Sequence, residues 1–288
     1  MKKLLVATAA IGTLIGTSAF AADMAVKAPM PAPAPVYSWA GFYLGISGGY
    51  GWGSNGAVDP RAAGTQNGVF VDGPAELAAQ LAGLTPLNTN PRGGIAGGQI
   101  GYNFQNQQFV WGVEADFSWA DIAGSATRMV NSPAVGFPPF GVTTNYSASQ
   151  KLESLGTVRG RLGITPADRF LAYVTGGLAY GETKSNIAIA QTESGAAGAS
   201  DTYTPSTGAG SSWRAGWTIG AGGEWAFAQN WSIKAEYLYY DLGSLSYGGT
   251  SITGISAGGT PFTFTGISPT TQFKGSIVRA GFNWRFGG

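Results

Sequence analysis

The sequence predicts an all-β fold: an eight-stranded antiparallel up-and-down transmembrane β-barrel with four long extracellular loops and short periplasmic turns. Three observations carry this expectation. Eight segments alternate apolar and polar residues with period two. The links between them are alternately tight and long. The charges within the strands keep to the polar face, except near the long-loop ends.

Composition narrows the function before any motif is read. The 288 residues include no Cys and no His, so disulfides, thiol chemistry and imidazole bases are all excluded. Charged residues make up 11% of the chain, well below the roughly 25% usual in soluble domains, while glycine reaches 47 residues. Much of the surface is therefore expected not to face water. The net charge is +1 with no basic stripe, which argues against a nucleic-acid partner.

The chain opens with Lys2 and Lys3, a short apolar run from Leu4 to Gly16, and Ala19-Phe20-Ala21, a small-residue cleavage pattern. Residues 1–21 read as a signal peptide for the Sec pathway, because the apolar run is short of the ~20 residues of a spanning helix. Residues 22–38 form a Pro/Ala-rich periplasmic linker, and residues 39–288 the barrel domain.

In the first strand Phe42, Leu44, Ile46, Tyr50 and Trp52 oppose Tyr43 and Ser47. The second sets Ala96, Ile100, Tyr102 and Phe104 against Gln99 and Asn103. The third opposes Phe109 through Trp119 to Glu114, Asp116 and Ser118. In the fourth, Leu152, Val158, Leu162 and Ile164 face away from Glu153, Thr157, Arg159 and Arg161. The fifth, Phe170 to about Thr183, is the least regular, with Leu171 and Tyr173 on its polar face. The sixth opposes Trp213, Trp217, Ile219 and Trp225 to Arg214, Thr218 and Glu224. The seventh opposes Trp231, Ile233 and Tyr237 to Ser232, Lys234 and Glu236. The eighth opposes Val278, Phe282, Trp284 and Phe286 to Arg279, Asn283 and Arg285.

Alternation alone fits a soluble barrel as well as a membrane one. The connections decide: tight turns at Gln105–Gln108, Pro166–Arg169 and Ala228–Asn230 alternate with long loops at Ser54–Gly93, Ile122–Gln150, Ser185–Ser211 and Ser244–Thr271. Aromatics form two girdles. Trp39, Phe109, Phe170, Phe227, Trp231 and Phe286 lie at the short-turn ends; Trp52, Trp119, Tyr180, Trp213 and Tyr239 lie toward the loops. The charges that break the alternation, Asp121, Glu182, Lys184 and Asp241, all lie at loop-side strand ends, where lipid no longer penalises them.

An eight-stranded barrel has an interior that side chains just fill. Glu114, Asp116, Glu153, Arg159, Arg161, Arg214, Glu224, Lys234, Glu236, Arg279 and Arg285 are therefore expected to form a lumen network of ion pairs. A narrow charge-tuned conduit is the alternative. No catalytic, metal or cofactor site is expected. Glu114 and Asp116, two apart beside arginines, read as structural rather than as an acid–base pair. Specific function would sit in the loops, where Pro74–Leu84 reads as a short helix.

The segments SAFAADMAVKAP, YSWAGFYLGISGGYGWG, YVTGGLAYG at Tyr173–Gly181 and the closing VRAGFNWRF resemble small α-proteobacterial outer-membrane proteins. The resemblance is to the opacity-like porin or RopB type, in the OmpA-like transmembrane barrel group. It implies insertion by the barrel-assembly machinery, with Phe282, Trp284 and Phe286 as the assembly signal, here followed by Gly287 and Gly288. It also implies lipid and lipopolysaccharide as surroundings. Enzymes on small outer-membrane barrels rely on a His, and without one no enzyme activity is expected here. The leading expectation is a structural barrel that supports the envelope and presents its loops to host or phage. A passive porin, or a surface adhesin or haem receptor, are the alternatives.

Overall fold

The computed structural model describes residues 37–53, 57–59, 65–67, 84–133, 141–194, 202–203, 206–246, 250–255, 261–267 and 270–286. The segment expected to be a signal peptide, nearly all of the expected linker, residues 74–83 of the expected short helix and the two final glycines lie outside the described residues.

Eight long strands form the ring: β1 (Gly41–Gly53), β2 (Arg92–Asn106), β3 (Phe109–Pro133), β4 (Gly141–Ala167), β5 (Phe170–Ser194), β6 (Ser206–Ala226), β7 (Trp231–Ser246) and β8 (Thr270–Arg285). Each pairs antiparallel with its chain neighbours. β1 closes on β8 from Tyr43↔Arg285 to Gly53↔Gly275. In the lower part of the ring closure leaves no unpaired edge, as a sheet in lipid requires. At the periplasmic end, β2 and β3 join through Gln107-Gln108, with Gln107 at a φ of 53°.

In the lower part of the barrel the predicted faces hold. Ile46, Val113, Val158, Ile219 and Phe282 point outward and are exposed, while Glu114, Arg159, Glu224 and Arg279 point inward and are buried. The outward aromatics Phe109, Phe170, Phe227, Trp231 and Phe286 ring one end, and Trp52, Trp119 and Trp213 ring the other. Trp39 is a correction: it is 0% exposed and sits inside the periplasmic mouth instead of in the girdle. It packs there with Val110, Leu171, Tyr173 and Ala226, which also explains the two apolar residues on the polar face of β5.

The wall is uneven in height. β3, β4 and β5 have 25, 27 and 25 residues, against 13 in β1 and 16 in β8. A spanning strand needs only about 9–11 residues. At ~3.4 Å per residue and a tilt near 40°, β3 rises roughly 60 Å, against an apolar band of about 25 Å. Much of the chain expected as loop at 122–150 and 185–211 is thus strand, continuing to Pro133, from Gly141, to Ser194 and from Ser206.

Above the band the faces reverse in character. The outer wall carries Asp121, Ser125, Thr127, Asn145, Ser149 and Asn186. The interior becomes an apolar core that includes Ile95, Ile122, Leu152, Leu155, Leu238, Leu242, Phe273 and Ile277. Water has replaced lipid outside, so the barrel here buries apolar residues as a soluble sheet does. The change of solvent coincides with register breaks at Trp119/Ile122, Leu152/Gly156 and Asp241/Ser244. The break in β4 corrects two assignments, because an extra residue turns the strand over. Leu152 points into the core, while Glu153 faces outward.

Candidate functional site

Among the described residues, the buried charged side chains all lie in the barrel interior, and they are arranged there in layers. Highest among the buried charges is a cluster of three cations and three carboxylates. Arg159 donates to Glu236 at 2.8 Å and to Asp116 at 3.0 Å, and it also binds Glu114. Arg279 reaches Glu236 through Nε at 2.8 Å and Asp116 through Nη2 at 3.0 Å. Lys234 donates to both Glu114 oxygens at 2.9 Å. Neutral groups fill the remaining valences: Tyr43 Oη donates to Glu114 at 2.7 Å, and Thr157 Oγ1 donates to Asp116 at 2.6 Å.

One step toward the periplasm, Arg161 pairs with Glu224, which also accepts from Ser232 at 2.6 Å and Asn283 at 2.8 Å. Arg161 lies 3.6 Å over the Tyr173 ring, a cation–π contact. Arg285 stands 3.8 Å from Glu224 and donates to Tyr37 Oη and the Ser38 carbonyl. Trp39 closes the mouth below Arg285, 4.6 Å from ring centroid to guanidinium, with its backbone N–H donated to Gln105.

Of the residues singled out from the sequence, Glu114, Asp116, Arg159, Arg161, Glu224, Lys234, Glu236, Arg279 and Arg285 are thus brought together. Glu153 and Arg214 are not. Glu153 stands on the outer wall and pairs with Lys184 at 2.7 Å and Lys151 at 3.8 Å, and Lys151 also pairs with Asp121 at 3.1 Å. The Lys184 ammonium holds the Glu153 carboxyl below its usual range and is itself raised by it. Arg214 lies higher on the inner face and donates to the Leu242 carbonyl at 3.1 Å. Phe282, Trp284 and Phe286 project outward along the last strand.

Tyr43 and Tyr173 lie on the polar face as expected, but their part in the charge network was not recognised, nor was the inward position of the Tyr37–Trp39 segment. Their signal is cross-strand: Tyr43 sits opposite Gly101, and Tyr173 opposite Gly222. A Cβ at Gly101 would lie 2.3 Å from the Tyr43 ring, and one at Gly222 would lie 2.6 Å from Tyr173 Oη. Each glycine leaves the floor on which a tyrosine lies. Tyr43 is held by Glu114 and cannot yield, so Gly101→Ala is expected to cost ~1–3 kcal/mol in unfolding experiments. Gly98→Ala, whose Cβ would meet nothing nearer than 3.7 Å, leaves stability unchanged.

A closed ring of eight antiparallel strands, apolar outside and charged within, defines an outer-membrane β-barrel protein. The chain belongs to the outer membrane protein beta-barrel domain family, whose model matches residues 18–286. It is 37% identical over 239 residues to the 31 kDa outer-membrane immunogenic protein of Brucella melitensis, covering 82% of this chain and 85% of that one. It is 29% identical to the 25 kDa outer-membrane immunogenic protein of Brucella abortus, covering 86% and 87%. The 22 kDa outer membrane protein of Rhizobium leguminosarum bv. viciae is also 29% identical, with 74% and 69% covered. Among solved structures, the outer membrane protein OprG from Pseudomonas aeruginosa aligns over 88% of this chain and 100% of its own. The TM-score is 0.38 at 13% identity. The protein is therefore an α-proteobacterial type of outer-membrane barrel, located in the outer membrane.

Proposed function

We propose that the protein is a non-conducting structural barrel that supports the envelope and presents the tall β3–β6 wall and its loops at the cell surface. The carrying observation is that the interior is occupied at successive heights, by Trp39, by the ion-paired network and by the apolar core around Ile122, Leu152 and Phe273. Ions crossing such an interior would have to break buried pairs and then enter an apolar layer, both costly steps. Surface presentation accords with the immunogenic character in the names of the Brucella relatives.

The same packing bears on the alternatives. A passive porin would need the interior to open. An adhesin or haem receptor would use the loops and leave the interior as it is. An enzymatic role has no support, since the lumen carboxylates are each engaged by cations. Lipopolysaccharide fits as the lateral neighbour of the polar outer wall. The barrel-assembly machinery fits as the reader of Phe282, Trp284 and Phe286.

Purified protein in planar bilayers is expected to give no reproducible single-channel steps at moderate voltage. Stable, uniform steps abolished by boiling would replace this reading with the porin.

A further inference from the structure

The lower layer of the lumen has more positive charge than it can satisfy. Among the described residues, five buried cations (Arg159, Arg161, Lys234, Arg279, Arg285) face four buried carboxylates (Glu114, Asp116, Glu224, Glu236). The upper cluster is balanced, so the surplus lies below it, where Arg161 and Arg285 share the single carboxylate of Glu224. A buried charge without a counter-charge is strongly unfavourable, and so is a buried N–H without an acceptor. Several such donors occur together here. Arg161 Nε, Arg285 Nε and Nη2, Trp39 Nε1 and Asn103 Nδ2, five donors, are all buried without a hydrogen-bond partner, against one acceptor, Asn103 Oδ1, and the Tyr173 hydroxyl, which can donate or accept.

These groups belong to one neighbourhood. Arg161 stacks on Tyr173, Tyr173 shares a packed cluster with Trp39, and Trp39 lies under Arg285. Asn103 and Arg161 stand on either side of Gly112 in adjacent registers. A Cβ at Gly112 would come within 2.6 Å of Asn103 Oδ1. The glycine thus makes room for the Asn103 amide beside the strand that carries Arg161.

We propose that this periplasmic chamber binds one small monovalent inorganic anion of the halide class, held by Arg161 and Arg285 and enclosed when Tyr37–Trp39 closes the mouth. The excess of donors over acceptors selects an anion, and the surplus of one charge selects a monovalent one. The site is independent of whether the barrel conducts, because it lies below the balanced cluster and the apolar core.

Bromide is the probe, applied to the full-length barrel in detergent. Crystals grown in sodium bromide are expected to show an anomalous peak between the two guanidinium groups. At constant ionic strength, replacing gluconate by chloride or bromide is expected to raise the thermal unfolding midpoint by about 3–6 °C, saturably. Trp39→Phe keeps the bulk and removes one donor, and it is expected to weaken half-saturation by about tenfold. Density without anomalous signal at the chamber, meaning water alone, would overturn the proposal. So would a midpoint that follows ionic strength and ignores the identity of the anion.

Discussion

Replacing Arg159 with methionine is expected to destabilise the folded barrel by about 3–5 kcal/mol. Arg159 is fully buried and, among the described residues, is the one group that hydrogen-bonds to all three of Glu114, Asp116 and Glu236. Its loss leaves three carboxylates to two cations, Lys234 and Arg279, in a region water does not reach. The damage is the stranded negative charge, not the lost attraction, so the effect is expected to change little with salt. Urea unfolding in detergent followed by tryptophan fluorescence measures it. Glu153→Gln provides the contrast. Its partners Lys151 and Lys184 are each more than two-fifths exposed, and water screens such pairs so that they contribute little. Equal losses in the two variants would mean that the lumen is as wet as the outer wall.

Placing arginine at Ile219 is expected to cost about 2–4 kcal/mol, because this residue faces lipid between the girdle residues Trp213 and Phe227. The same change at Asn186, on the outer wall above the band, is expected to be close to neutral. Reversible unfolding from lipid vesicles compares the two. The difference maps where lipid ends, and with it the height at which the barrel exchanges an apolar exterior for a polar one. A large penalty at Asn186 would place the tall wall inside the membrane.

The membrane-embedded half was legible in the sequence because its pattern is strong: large apolar residues such as Phe282 and Trp284 alternate with charged ones such as Arg285 and Arg279. The number of strands, their faces and most of the lumen charges follow from it. The upper half was not legible as strand, for two physical reasons. Its outer residues are small and polar, as in Ser125, Thr127 and Ser149, so alternation with Ala126 or Ala148 gives little contrast and reads as loop. The meaning of the alternation also inverts there, since the apolar face is inward. Leu152 and Glu153 illustrate the combined effect. Their neighbours Arg159 and Arg161 set a register that a single bulge at Leu152/Gly156 reverses. Trp39 escaped notice because an aromatic at a strand terminus resembles an interfacial anchor. Only its contact with Arg285, nearly the whole chain away, assigns it to the interior.

The account rests on a filled interior whose face assignment reverses above the membrane, and cysteine labelling tests both together. The chain contains no native cysteine, so single variants report without background. In intact cells, a membrane-impermeant maleimide is predicted to label Glu153→Cys readily and to leave Leu152→Cys unreacted until the barrel is unfolded. Labelling of Leu152→Cys at the rate of Glu153→Cys would contradict both the inward register and the closed core.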